Sequence, residues 1–262
     1  LVLLFPICVF AQNDLLSEID TVKADNKVES AFKSLKIVNL ESTKLAGKGD
    51  FYLVIAHRFD YVNNGFDDFF GIDNANTQIK FVYGVKDWLT VHIARSGFEE
   101  TIDAAIKYRL ISQEKGGFLF TIVGFNSIAV NAEMKVENYP KLEFENRLSY
   151  VTQLLVSRKF NDKLSLEIAP TYFHENTVKD ILDENGNVIL PNPQSNDQFA
   201  IAMGGRYKFA KRWSFNMDYA AHLNRASQSV YKNPFSVGVD LETGGHVFQM
   251  HFTNSQIGRA HV

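Results

Sequence analysis

The sequence has little of what most catalytic and nucleic-acid-binding chains carry. One cysteine, Cys8, stands in 262 residues, so it offers neither an internal disulfide framework nor a cysteine-based metal site. Six prolines and two tryptophans are thinly spread. Formal net charge is −3 and no lysine/arginine block stands out, so the electrostatic footprint of a nucleic-acid binder is missing. The seven histidines, His57, His92, His174, His222, His246, His251 and His261, lack the His-Glu-x-x-His spacing of a zinc helix. His246 and His251 fall on opposite faces of one strand and cannot chelate together. No Gly-x-Ser-x-Gly elbow occurs, and Ser149, Ser157 and Ser165 read as strand hydroxyls. Glycine-rich phosphate fingerprints are absent too; Gly204-Gly205 lies inside a strand pattern, where it suits packing or curvature. These absences lead us to expect no enzyme activity, no cofactor and no metal.

What is present is an alternating, aromatic-rich pattern. The 22 Phe and 10 Tyr favour strands over helical bundles. The last hairpin sets the rule: Phe235, Val237, Val239 and Leu241 point one way, Ser236, Gly238, Asp240 and Glu242 the other. After Thr243-Gly244-Gly245, His246, Phe248, Met250 and Phe252 share one face, and Val247, Gln249 and His251 the opposite one. Such a sheet has lipid or core on one side and water on the other.

The ends are set apart from the fold. Leu1–Phe10 (LVLLFPICVF) has the length of a signal-peptide h-region, with Val9-Phe10-Ala11 as a cleavage site. We read residues 1–11 as a signal peptide truncated at its start, removed together with Cys8. Ile257–Val262 (IGRAHV) matches a translated sequencing adapter and is excluded from fold reasoning. Residues 12–49 are expected to form a periplasmic lead-in or a plug-like segment. Within them Asp14–Leu35 is helix-compatible and Lys36–Leu40 could be a short strand.

From Asp50 to residue 256 the chain reads as one β-barrel domain. Strand-like runs lie at Asp50–Phe59, Thr77–Gly84, Trp88–Arg95, Ile102–Ile111, Gly117–Val130, Glu145–Phe160, Leu164–His174, Gln198–Phe209, Trp213–His222, Phe235–Glu242 and His246–Thr253. Links alternate between short, as at Val85–Asp87, Ser112–Gly116, Asn161–Lys163 and Ala210–Arg212, and longer, as at Asp60–Asn76, Asn131–Phe144, Glu175–Asp197 and Leu223–Pro234. This parity is that of a transmembrane barrel with its short turns in the periplasm. The expected fold is all-β, an antiparallel up-and-down transmembrane barrel of about twelve strands, the last missing here. Aromatics flank three short turns, at Tyr83 and Trp88, Phe160, and Phe209 and Trp213, as an interfacial girdle would.

Alternation then assigns faces. Ile79, Phe81, Tyr83, Leu166, Ile168, Met203, Phe215 and Met217 should meet lipid. Lys80, His92, Lys107, Arg109, Arg147, Gln153, Glu167, Arg206, Asp218, Asp240 and Glu242 should line the lumen or its rim. Phe69–Asn74, in the first long loop, suits either a loop folded in to narrow the pore or a simple loop anchor.

Phe32-Lys33-Ser34, His57-Arg58-Phe59, Phe69–Ala75, Arg95-Ser96 and the string from Glu242 to Asn254, with Glu242, Thr243, Gly244, Gly245, His246, Phe248, Phe252 and Asn254, resemble a β-barrel family of unknown function from Bacteroidota, domain of unknown function 5777. The resemblance implies a secreted barrel of the bacterial outer membrane and transfers no activity, ligand or catalytic residue. Two functions stay open: a narrow channel for a small solute, with outer-membrane lipid around it, and a non-conducting structural or interaction barrel.

Overall fold

The computed structural model describes residues 26–60, 65–67, 69–73, 75–135, 141–178, 180–182, 188–190, 194–227, 229 and 232–255. The signal region, residues 14–25 of the helix-compatible Asp14–Leu35 stretch and Ile257–Val262 lie outside these residues.

Eleven strands form one antiparallel sheet in chain order: β1 (Phe51–Phe59), β2 (Ala75–Lys86), β3 (Leu89–Ser96), β4 (Ile102–Ile111), β5 (Thr121–Val130), β6 (Leu148–Lys159), β7 (Leu164–Glu175), β10 (Asp197–Lys208), β11 (Trp213–His222), β12 (Phe235–Thr243) and β13 (His246–Thr253). The short strands β8 (Ile181–Leu182) and β9 (Val188–Leu190) pair by themselves within the longest link. Each main strand hydrogen-bonds its neighbour in sequence, as in an up-and-down meander. Cross-strand pairs match like with like on the outer face: Ile55 opposes Ile79, Met203 opposes Ile168, and Met250 opposes Val239.

Burial follows the period of two. On β2, Ile79, Phe81 and Tyr83 are exposed while Gln78, Lys80 and Val82 are buried. On β7, Leu166 and Ile168 are exposed and Ser165, Glu167 and Ala169 buried. On β11, Trp213, Phe215 and Met217 are exposed and Ser214, Asn216 and Asp218 buried. An apolar outside and a polar inside invert the soluble-protein pattern and suit a sheet bathed in lipid. At the short-turn end Tyr83, Trp88, Phe160, Tyr207, Phe209 and Trp213 are all exposed, forming the girdle expected there.

Most expected strand bounds hold to within two residues, and three expectations change by more. Gly117–Phe120 is not strand: β5 begins at Thr121, because the chain turns back so that Glu114 N–H donates to Phe118 O, and Glu114 forms a bridge with Lys27. Glu145–Arg147 is a 3₁₀ turn, so Arg147 sits at the rim before β6 and not within it. Lys36–Leu40 is no strand: Lys36 bridges Glu41, and the Ile37 N–H donates to Leu40 O, folding the stretch into a tight tip. Residues 26–35 carry no helix.

The core is the N-terminal segment itself. Ala31, Phe32, Ile37, Leu40 and Leu45 pack with Val123, Phe125, Leu155, Phe173, Ala202 and Ala220 of the inner wall in one cluster. The segment enters at the short-turn end, where Val28 N–H donates to Gln113 O and Lys115 N–H to Asn26 O. It leaves by the same end, where Gly49 N–H donates to Gly84 O and Lys48 N–H to Asp87. Gly84 is obligatory there: a Cβ would lie 1.8 Å from the carbonyl oxygen of Gly47.

Candidate functional site

The site is the lumen and the segment that fills it, residues 31–46, which we call the plug. Its tip is held by one carboxylate. Asp218 Oδ2, on β11, accepts the backbone N–H groups of Val38, Asn39 and Leu40 at 3.0, 2.7 and 3.0 Å. A turned backbone presenting successive N–H groups is a natural anion cradle, here filled by a wall side chain. The side chain of Asn39 then spans the two edges of the sheet. Its Oδ1 accepts Arg58 Nη2 of β1 at 2.8 Å, and its Nδ2 lies 2.9 Å from Ser236 Oγ of β12 and 2.9 Å from Thr253 Oγ1 of β13. First and last strands thus lie within reach of one asparagine, which means that the sheet curls round on itself.

On the return leg Glu41 meets the cationic wall. Its Oε2 accepts Lys107 Nζ of β4 at 2.7 Å, while Lys80 Nζ of β2 stands 3.5 Å from Oε1 and Lys36 Nζ, within the plug, 3.6 Å from it. Lys107 Nζ also donates to Leu35 O and Ser42 O, each at 3.1 Å, so its three donors are all used. Next, Thr43 N–H donates to Glu167 Oε2 of β7 at 2.9 Å, and the Thr43 and Ser157 hydroxyls are 2.5 Å apart. Last, Ala46 N–H donates to Thr90 Oγ1 of β3 at 3.0 Å.

The lumen candidates separate into groups. Lys80, Lys107, Glu167 and Asp218 are buried against the plug and bonded to it. Asp240 accepts Gln249 Nε2 at 3.0 Å, and that amide also donates to Ile37 O. Gln153 donates to Thr171 at 3.0 Å, and Arg206 to Glu242 at 2.6 Å, so these pair along the wall. His92 faces Asp103 at 2.9 Å, between the strands that carry the two lysines. Arg109 is half-buried near the short-turn end, and Arg147 donates to Ala132 O at the opposite rim. Among the wall groups bonded to the plug, the lysines stand on β2 and β4 and the acids on β7 and β11. Of the motif residues, Gly244 takes a positive φ of 57° in the tight turn, Phe248 and Phe252 are exposed on the outer face, and Asn254 Oδ1 accepts the Phe235 N–H at 2.8 Å.

Asn39, Glu41 and Thr43 were not among the sequence candidates, since they sit in a stretch with no period. Their only signal is a cluster of apolar residues, Ile37, Val38 and Leu40, around an acid in an otherwise polar lead-in. The first long loop does not fold inward in its described part: Phe66, Phe69, Phe70 and Ile72 are exposed. A cavity between plug, β10 and β11 measures about 30 Å³, room for a water or two. Among the described residues no group of three His, Cys, Asp or Glu side chains converges on a common point.

Apolar outer face, polar inner face and up-and-down order define a membrane β-barrel. The chain belongs to the family described as membrane bound beta barrel domain (DUF5777), whose model matches residues 32–260. Among solved structures it is similar to the NanC porin in a rhombohedral crystal form, at 10% identity and a TM-score of 0.46, over 72% of this chain and 80% of that one. It is also similar to the Pseudomonas putida toluene transporter TodX, at 14% identity and a TM-score of 0.27, over 65% of this chain and 40% of that one. No curated protein matches.

Proposed function

We propose that this protein is a channel of the bacterial outer membrane for a small solute, closed in the described state by its own residues 31–46. The observation that carries the reading is the way the plug is held. The buried ionisable wall groups Lys80, Lys107, Glu167 and Asp218 find their partners on the plug. A barrel interior that served packing alone gains little from such groups, since desolvating buried charges offsets much of their mutual attraction. Polar walls suit a conduit that is wet when open. The reading assigns the chain no catalysis.

A second reading, a non-conducting barrel with a structural or interaction role, is favoured by one contact. Gly47 presses directly on Gly84, so the plug's exit leg is seated against backbone. The two readings part in a planar bilayer. Thr43 and Ser157 are both replaced by cysteine in the full chain, which places thiols where the hydroxyls now touch. A channel gives current steps under reducing conditions that oxidation abolishes and dithiothreitol restores. A folded, heat-modifiable barrel silent under both conditions selects the second reading.

A further inference from the structure

Glu41 is the one acid that the plug presents to the cationic side of the lumen. Its two carboxylate oxygens are divided between strands: Oε2 goes to Lys107 of β4 and Oε1 faces Lys80 of β2. All three side chains are at least nine-tenths buried. Of the other contacts of this carboxylate, Lys36 belongs to the plug and would leave with it. What stays on the wall is a pair of ammonium groups, spaced by one strand and set to bracket a planar carboxylate. Two lysines so placed repel one another, and an anion between them relieves that repulsion, so the vacated site favours an anion.

We propose that Lys80 and Lys107 form a carboxylate-binding site on the lumen wall, which Glu41 fills while the plug is seated and which a carboxylate-bearing solute fills once it is withdrawn. Glu41 acts as a tethered copy of the solute's charged end. The site lies on strands and is held in register by β3 between them, where Lys80 pairs with Ala94 and Lys107 with Thr90. The strand backbones that carry the two lysines therefore keep their register without the plug. Beside the site, Asp103 Oδ2 lies 2.9 Å from His92 Nε2. This inference deepens the channel reading and rests on it for the solute, but the site itself can be tested separately.

The test is chemical rescue of Glu41→Ala in the full chain, in detergent. Sodium acetate, compared with sodium chloride at equal ionic strength, should raise the midpoint of heat modification saturably, and Glu41→Ala/Lys107→Gln should lose that response. If Glu41→Ala folds poorly, the fraction refolded from urea in acetate against chloride gives the same reading. Acetate and chloride acting alike would overturn the site. The solute is tested by reversal potential in the reduced Thr43→Cys/Ser157→Cys channel. Anion preference that falls when Lys80 and Lys107 are changed to glutamine supports it, and cation preference or no change refutes it. A barrel that rescues with acetate yet never conducts refutes the channel reading while upholding the site.

Discussion

Asp218 and Asn39, 179 residues apart in the chain, are joined by a backbone N–H donated to a carboxylate oxygen at 2.7 Å. The flanking N–H groups of Val38 and Leu40 converge on that same oxygen. A single wall side chain therefore sets the depth to which the plug enters.

Asp218→Ala should free the tip without unfolding the sheet. Hydrogen bonds to a charged acceptor contribute about 1.5–3 kcal/mol each and are not additive. We expect amide exchange at Val38, Asn39 and Leu40 to quicken by tenfold or more, with exchange in β5 and β6 unchanged. Asp218→Asn, which keeps an acceptor oxygen, should show a smaller effect. Equal protection in all three proteins would show that the tip is held by packing alone.

Two glycines face the plug with different tolerance. At Gly84 an added methyl meets the Gly47 carbonyl at 1.8 Å, while at Gly204 it meets the flexible end of Ile37 at 2.5 Å. Gly84→Ala should lower stability by about 1–3 kcal/mol, as overpacking does, and Gly204→Ala by less. Urea midpoints of the two variants in micelles decide the order.

Phe32 is almost completely buried and anchors the inward leg. Truncation to alanine should cost about 3–5 kcal/mol. Limited proteolysis within residues 31–46, absent in the parent, should then appear before the strands are cut.

The outer face can be tested by charge. Met203 and Ile168 pair mid-strand and are both exposed. Met203→Lys should reduce bilayer stability by about 2–4 kcal/mol if the pair sits near the midplane, measured by reversible folding into vesicles. Lack of any penalty would move this face out of lipid.

Acid should act at the mouth. Bonding to Lys33, with Lys159 beside it, holds the Glu29 carboxyl down to about 2 from its usual 4.5. A depressed carboxylate adds stability above its unfolded value and loses it as pH falls through the folded one. Because Glu29 is well exposed, screening limits the pair to about 0.2–1 kcal/mol. The stability gap between the parent and Glu29→Gln should be constant from pH 7 to about 5 and close between about 4.5 and 2.

The strands were legible because each residue in them reports its own side. Ile102–Ile111, Trp213–His222 and His246–Thr253 emerge with the bounds the alternation implies. Phe–Tyr–Trp outside and Lys, Gln, Glu and Asp inside leave no register ambiguity. Residues 12–49 read in sequence only as a lead-in or a plug-like segment, and the turn within residues 31–46 was not legible. Its shape depends on partners such as Asp218 and Glu167, 179 and 124 residues distant, and no local period encodes a turn held by a remote carboxylate. Arg147 shows the converse: its alternation continued past the strand's start, into a 3₁₀ turn where the chain leaves the sheet.

Both legs of the plug pass through the mouth at the short-turn end, at Val28 on entry and Gly49 on exit. Topologically it is a doubled loop and not a threaded tail. It can be inserted after the strands have paired, or drawn out again, without any chain end crossing the wall. No knot has to form and none has to be undone. The order of assembly is thus free, and a pull on either leg from the short-turn side suffices to extract the whole.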